Sequence, residues 1–216
     1  MKILFIGNSY TFYNDMPKML SELGIENGKE LEVDSVTRGG RKLYENLASG
    51  DEHNSKILEL IAKKSYDVLI LQEQSYFALI NYAEFERGVR ELIELVGAKR
   101  VVLYATWGRK TGCDLLPKYG WSSAEMGEKL FAAYSSAAKV CGAEVSPVGL
   151  CFNKINAGGG LELYNPDLSH PSKAGTALGV LCHYKRIFGE MPESYESLGL
   201  RADEARIILD TVAQTV

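Results

Sequence analysis

The sequence contains little of the chemistry on which several classes of protein depend. Among 216 residues there are only three histidines and four cysteines. The cysteines form no CxxC pair and no metal-ligand spacing, which argues against a zinc site or a disulfide framework. No apolar run approaches the roughly 20 residues of a membrane-spanning helix. The net charge of −4, with no long basic run, argues against nucleic-acid binding.

The amino terminus has no apolar run of the length that a signal peptide requires. Only four apolar residues, Ile3 to Ile6, precede Gly7, and such a short run is typical of a buried strand. We therefore expect a cytoplasmic protein with reduced thiols; an exported precursor whose signal has been removed is the alternative. The length and the 46% hydrophobic content predict a single domain, residues 1–216, with a substantial core.

Short apolar segments alternate with longer amphipathic ones. The apolar segments predict strands at 2–6, 31–37, 67–71, 100–105 and 144–148, the last interrupted at Pro147. Helical periodicity and capping signals predict helices at 16–27, 43–48, 55–64, 83–96, 123–141, 171–188 and 202–214. The glycine-rich segment 156–160 predicts a flexible loop. Strands separated by helices imply parallel βαβ units, so we expect an α/β protein: a three-layer α/β/α sandwich with a mostly parallel five-stranded sheet.

Residues with chemical potential follow the predicted strands. Ser9 comes after the first strand, Gly39-Gly40 after the second, Gln72 and Gln74 after the third, and Trp107 after the fourth. Ligands of parallel sheets bind outside the carboxyl ends of the strands. We therefore expect these residues to meet at one edge of the sheet.

Two distant segments supply the groups of a nucleophilic site. Ser9 lies where the chain turns from a strand towards a helix, but a serine is a poor nucleophile unless a base takes its proton. His170 is the candidate base, because Asp167 lies three residues upstream and can orient its Nδ1. Three alternatives remain: Ser9 caps a helix or contacts a phosphate, Asp167 only caps the next helix, and His170 is an ordinary surface residue. The other two histidines are weaker candidates for the base, because His183 lies within a helical pattern and His53 lies in a segment typical of a helix start.

Acyl transfer also needs hydrogen-bond donors for the developing oxyanion. Gly39 and Gly40 offer backbone N–H groups that no side chain covers. Gln72 and Gln74 offer side-chain amides. Taken singly, these residues are equally typical of a tight turn and of a strand end.

In order along the chain, these segments resemble the four conserved blocks of the SGNH (GDSL-like) hydrolase superfamily. The matching segments are Gly7-Asn8-Ser9-Tyr10-Thr11, Gly39-Gly40, Leu71-Gln72-Glu73-Gln74-Ser75 and Asp167-Leu168-Ser169-His170-Pro171-Ser172. They span almost the whole chain. The first and third look like those of a bacterial subgroup of the superfamily.

The resemblance implies a flavodoxin-like SGNH hydrolase fold and a role for each block. Ser9 would be the nucleophile, with Asp167 and His170 completing the triad. The backbone N–H groups of Ser9 and Gly40 would bind the oxyanion. The third block departs from the usual Gly-x-Asn-Asp: Gln74 replaces the asparagine that donates to the oxyanion, and Gln72 replaces the glycine. This departure leaves open whether Gln72 or Gln74 is the third donor.

These roles predict a serine esterase that acts on short-chain, acetyl-type esters without a metal or an organic cofactor. Its expected partner is a small-molecule ester, with an acylated sugar as one candidate, and neither a nucleic acid nor a membrane. Candidate substrate-contacting residues are Gln72, Trp107, Arg109 and Tyr10. The alternatives are a thioesterase or lipase, an inactive carbohydrate- or acyl-binding module, and a flavodoxin-like phosphate or nucleotide binder.

Overall fold

A parallel five-stranded sheet forms the centre of the computed structural model, which describes residues 1–216. The strands are β1 (Lys2–Gly7), β2 (Glu32–Thr37), β3 (Val68–Leu71), β4 (Arg100–Tyr104) and β5 (Glu144–Ser146). Their spatial order is β2-β1-β3-β4-β5, and every neighbouring pair is parallel. This is the flavodoxin-like order, in which the chain changes direction across the sheet between β1 and β3. The five predicted strands are confirmed.

Helices connect the strands and cover both faces of the sheet. They are α1 (Ser9–Phe12), α2 (Met16–Glu26), α3 (Glu52–Lys63), α4 (Phe77–Ile80), α5 (Tyr82–Val96), α6 (Leu115–Tyr119), α7 (Ser123–Cys141), α8 (Val148–Gly158), α9 (Lys173–Phe188) and α10 (Ala202–Thr215). Short 3₁₀ helices occupy Tyr13–Asp15, Leu43–Leu47 and Glu196–Leu198. None of the helices combines the length and the apolar composition that crossing a membrane requires.

Two separate hydrophobic cores confirm the three-layer sandwich. Successive side chains of a strand point to opposite faces, so a strand that is apolar throughout feeds both cores. Ile3 and Phe5 of β1 pack on the side of α2, α8, α9 and α10. Leu4 and Ile6 of the same strand pack on the side of α3, α5 and α7.

The structure differs from the sequence prediction mainly after β4. The fifth strand ends at Ser146, because Pro147 has no N–H to donate to the sheet. The helix α8 then runs to Gly158, so the loop predicted at 156–160 is wrong for its first three residues. The helix α9 begins at Lys173 and not at Pro171; the Ser172 hydroxyl caps it by accepting the backbone N–H of the third helical residue, 3.1 Å away. The predicted helix at 43–48 is a 3₁₀ helix.

Candidate active site

The turn after β1 presents Ser9 at the carboxyl edge of the sheet. The strand ends at Gly7, and Ser9 is the first residue of α1. Asn8 caps this helix, because its Oδ1 accepts a hydrogen bond from the Tyr10 backbone N–H, 3.3 Å away. The Asn8 Nδ2 donates to the carbonyl oxygen of Arg41 at 2.9 Å. The turn that carries Ser9 is therefore tied to the loop after β2.

The side chain of Gln72 holds the turn that carries Ser9 and does not face a substrate. Its Oε1 accepts hydrogen bonds from the Asn8 backbone N–H and the Thr11 hydroxyl, both at 2.9 Å. Its Nε2 donates to the carbonyl oxygen of Glu73. A Cβ added to Gly7 would lie 2.8 Å from the Gln72 Oε1, so this close approach requires glycine. Because its amide is buried and occupied at both ends, the predicted substrate contact of Gln72 is corrected.

A tight turn before α9 carries His170. The Asp167 Oδ1 accepts the backbone N–H groups of Ser169 at 3.0 Å and of His170 at 2.9 Å. Leu168, between Asp167 and Ser169, has a φ of 61°, a left-handed conformation that a leucine rarely adopts. The Leu168 carbonyl accepts the backbone N–H of Lys110 at 2.9 Å, which attaches the turn to the loop after β4.

The structure brings the two ends of the chain into contact. The His170 Nε2 lies 2.8 Å from the Ser9 Oγ, and its Nδ1 lies 2.5 Å from the Asp167 Oδ2. Burial opposes ionisation of Asp167, but hydrogen bonds from the His170 ring and from two backbone N–H groups outweigh it and hold the carboxyl pKa below its ordinary value. An ionised Asp167 that accepts the Nδ1–H leaves Nε2 free to take the Ser9 proton.

Two aromatic rings hold the imidazole plane. The Tyr13 ring stacks on His170, with centroids 4.1 Å apart and an interplanar angle of 10°. Tyr10 meets the same ring edge-on, at 5.5 Å and 81°. These contacts restrict rotation of the imidazole about its χ angles.

Trp107 lies in the core and not at the rim of the site. Its side chain is fully buried and stacked between Tyr10 (4.6 Å between centroids) and Phe152 (4.2 Å). Its Nε1 donates to the carbonyl oxygen of Ser169 at 3.0 Å. Tyr10 is itself only 2% exposed. The predicted substrate contacts of Trp107 and Tyr10 are therefore corrected: both rings support the turn that carries His170.

A line of hydroxyl groups connects Arg109 to the same turn. The Arg109 Nε donates to the Ser75 Oγ at 3.1 Å, and the Tyr10 hydroxyl lies 3.3 Å from Ser75 Oγ and 2.8 Å from Ser169 Oγ. A guanidinium only donates, so the Ser75 hydrogen is free for Tyr10, whose own hydrogen then points to Ser169. Arg109 is partly buried, and its contact with an acidic group of a substrate stays a prediction.

The predicted oxyanion donors lie on three loops at the same edge of the sheet. Ser9 begins α1, Gly40 lies in the exposed loop after β2 with φ of 69°, and Gln74 lies partly buried after β3. Asn8 joins the first loop to the second through its bond to Arg41. The donor roles of Ser9, Gly40 and Gln74 stay predictions.

A cavity of about 750 Å³ opens beside Gly40. Its lining includes Arg38, Tyr44, Arg87 and Glu91 but none of Ser9, Asp167 and His170, and polar and apolar groups contribute about equally to its surface. Arg87 pairs with Glu91 at 3.1 Å, and its guanidinium lies 5.8 Å from the Tyr44 ring centroid. The volume is in the range of small-molecule pockets.

Sequence reasoning did not single out the buried Glu73 or the hydroxyls of Ser75 and Ser169. A signal for Glu73 is present, since a charged residue directly follows the wholly apolar strand 68–71. No pattern in the sequence identifies the two serines, because their importance comes from neighbours more than 60 residues away.

The cysteines lie away from Ser9 and His170 in the contacts that the structure records. All four are free thiols; Cys151 and Cys182 are buried in the core with their sulfurs 3.6 Å apart. No group of three or more His, Cys, Asp or Glu side chains in residues 1–216 is arranged to hold a metal ion.

Comparison with known proteins finds several solved structures of the same fold. The chain is similar to a protein from Slackia heliotrinireducens described as a candidate SGNH hydrolase, at 34% identity over 87% of this chain and 98% of that one, with a TM-score of 0.76. It also matches a DUF4886 family protein from Bacteroides uniformis at 18% identity, over 99% of this chain and 93% of that one, with a TM-score of 0.80. An acetyl xylan esterase from Geobacillus stearothermophilus matches at 16% identity, over 89% and 97% of the two chains, with a TM-score of 0.62.

No protein-family model and no curated protein matches the chain. Because their identity to the chain is below 25%, the Bacteroides and Geobacillus proteins show only that the fold is shared. The Slackia protein shares about a third of its residues with the chain along nearly its whole length. By that match, the chain belongs to the SGNH hydrolase superfamily.

Proposed function

We propose that the chain is a serine esterase that hydrolyses short-chain acyl esters through Ser9, His170 and Asp167. The observation that carries this proposal is the continuous hydrogen-bond path from the Ser9 Oγ through the imidazole to the carboxylate, with steps of 2.8 and 2.5 Å. In this geometry His170 removes the Ser9 proton as Oγ attacks the ester carbonyl.

The catalytic cycle has two halves. The tetrahedral oxyanion is bound by the backbone N–H groups of Ser9 and Gly40 and by the Gln74 amide. The alcohol then leaves with the proton held on His170 Nε2, and an acyl group remains on Ser9. Water attacks this ester, His170 takes a proton from the water, and the acid product leaves as Ser9 recovers its hydrogen.

The cavity that borders Gly40 is the candidate site for a hydroxyl-rich alcohol group, since Gly40 is the predicted oxyanion donor among its lining residues. Only three of its eleven lining residues are hydrophobic, so it offers poor burial for a long acyl chain. Arg–carboxylate pairs and the Tyr44 ring are groups that can bind hydroxyls and a sugar face. Acetylated sugars, the substrate class in the name of the Geobacillus stearothermophilus esterase of the same fold, are the first substrates to test.

The deciding experiment is hydrolysis of p-nitrophenyl acetate by Ser9→Ala. We expect a loss of kcat of at least about 10³-fold with unchanged folding, because no other group can accept the acyl. His170→Ala should cost a similar factor, since the base is then missing. Circular dichroism and the melting temperature control for folding, and full activity of either variant would contradict the mechanism.

A panel of nitrophenyl esters of increasing chain length, together with acetylated sugars, tests the substrate class. A maximum at acetyl supports the proposal, whereas a maximum at medium chains would indicate a thioesterase or lipase. Failure of a fluorophosphonate to label the wild-type chain would favour an inactive binding module.

A further inference from the structure

The segments that carry Gly40 and Gln74 meet at one buried carboxyl group. Glu73 lies two residues beyond β3, and its side chain is 1% exposed. Its carboxyl accepts the backbone N–H of Gln74 at 2.5 Å. It also accepts the backbone N–H of Leu43, with its two oxygens at 3.2 and 3.3 Å. Leu43 lies three residues after Gly40, so one side chain joins two of the loops that carry oxyanion donors.

The surroundings of Glu73 contain few charges. The nearby charged groups are Lys42, directly before the 3₁₀ helix 43–47, and Glu45 within it; their charged atoms lie 3.7 Å from each other. On the side of α7, the Tyr134 hydroxyl accepts the Glu73 backbone N–H at 3.0 Å. No cation pairs with the carboxyl. Burial raises the pKa of Glu73 to about 8, although the two N–H donors oppose this, so the group is mostly neutral at pH 7.

We propose that Glu73 is a positioning residue of the oxyanion hole, which holds the Gly40 and Gln74 segments together while uncharged. This inference rests on the proposed esterase function. Glu73 makes its hydrogen bonds to backbone groups, not to Ser9 or His170. It therefore acts on the reaction through the loops that it joins.

The neutral state matters because of where the carboxyl lies. The Leu43 N–H lies 3.2 Å from Oε2 and 3.3 Å from Oε1, and the Gln74 N–H also points to Oε1. A single carbonyl oxygen, Oε1, can therefore accept both N–H groups without ionisation. An ionised Glu73, directly before Gln74, would place a negative charge near the developing oxyanion. Because Glu73 is only 1% exposed, water screens such a charge poorly, and the charge raises the energy of the transition state.

Two substitutions separate position from charge. Glu73→Gln keeps the oxygen that accepts both N–H groups and cannot ionise, whereas Glu73→Ala removes the connection. With p-nitrophenyl acetate at pH 7, we expect Glu73→Ala to lower kcat about tenfold with KM within about twofold, and Glu73→Gln to keep kcat within about twofold. Between pH 7 and 10, wild-type kcat should fall with a midpoint near pH 8, and Glu73→Gln should lack this decline.

Two controls make the outcome decisive. Ser9→Ala serves as the blank at each pH, and Glu128→Gln, an exposed carboxylate on α7, should keep the wild-type profile. If Glu73→Gln declines with pH as the wild type does, the inference is overturned, and this test holds even if Glu73→Ala does not fold. A folded Glu73→Ala with wild-type kcat would overturn it as well. Activity of Ser9→Ala equal to the wild type would instead reject the esterase function itself.

Discussion

At the scale of single residues, the Asp167 carboxylate has two separate tasks. One oxygen accepts two backbone N–H groups and holds the turn, while the other meets the His170 ring. The turn also needs Leu168 in a left-handed conformation, which costs on the order of 1 kcal/mol. The spacing of three residues between Asp167 and His170 is what lets one side chain do both.

Asp167→Asn should separate these two tasks. The amide oxygen can still accept the two backbone N–H groups, so the turn and the melting temperature should change little. The amide nitrogen cannot accept the Nδ1–H of His170, so the imidazole loses the tautomer that deprotonates Ser9. We expect kcat for p-nitrophenyl acetate to fall roughly 10³- to 10⁴-fold. A variant that retained more than a tenth of wild-type kcat would show that Asp167 is only a structural cap.

At the scale of elements, glycines let two helices approach the loops around the site. A Cβ on Gly149 in α8 would lie 2.1 Å from the carbonyl oxygen of Thr106, and one on Gly175 in α9 would lie 2.3 Å from that of Leu163. The Gly149 backbone N–H also donates to Ala105 at 3.0 Å. The start of α8 therefore holds the end of β4, directly before the buried Trp107.

Gly149→Ala should destabilise the protein, because the new methyl group overlaps a backbone atom that has no room to move. Overpacking of this kind costs about 1–3 kcal/mol of unfolding free energy, which denaturant titration can measure. Gly158→Ala, at the other end of α8, is the matched control. A Cβ there meets no atom within 4 Å, so its effect should be neutral or slightly stabilising. Equal stabilities of the two variants would contradict the close-approach argument.

At the scale of the whole molecule, the core on the α9 side contains a fully buried histidine. His183 packs edge-on against Tyr104 at 4.5 Å and Phe5 at 5.9 Å, and neither ring nitrogen has a hydrogen-bond partner. Burial lowers its pKa to about 3. The unfolded chain binds a proton at this residue below about pH 6.5, whereas the folded protein does not. Stability therefore falls as the pH decreases from 6.5 towards 3.

His183→Leu should remove this acid sensitivity. Between pH 7 and 5 the wild type should lose about 2 kcal/mol of unfolding free energy through His183, and the variant should not lose this contribution. Denaturant unfolding at both pH values measures the difference. Leu178→Ala, in the same helix, changes no titratable group. Relative to the wild type it should lower the unfolding free energy by the same amount at pH 7 and at pH 5. An equal pH dependence of His183→Leu and the wild type would show that His183 is not neutral in the folded core.

The sheet and the positions of its loops could be predicted from local patterns in the sequence. Apolar runs of four or five residues mark the three central strands β1, β3 and β4, whereas the edge strands β2 and β5 mix polar and apolar residues. The same reasoning failed for Trp107 and Tyr10, since an aromatic ring in a loop is equally compatible with a binding site and with a core. It also missed α8, because Gly149 and Asn153 are poor helix formers and packing decides their conformation.

The sequence by itself determined which segments form strands and which residues are candidates for the triad, because hydrophobic periodicity and the small number of histidines can be read without the fold. The tertiary structure alone decided which groups touch. Ser9 and His170 are 161 residues apart in the sequence. They meet because β1 and β4 end at one edge of the sheet and the turn that carries His170 is attached to the loop after β4. Burial likewise belongs to the folded state: it removes Gln72 and Trp107 from the substrate side, and it raises the pKa of Glu73, whose carboxyl joins two loops.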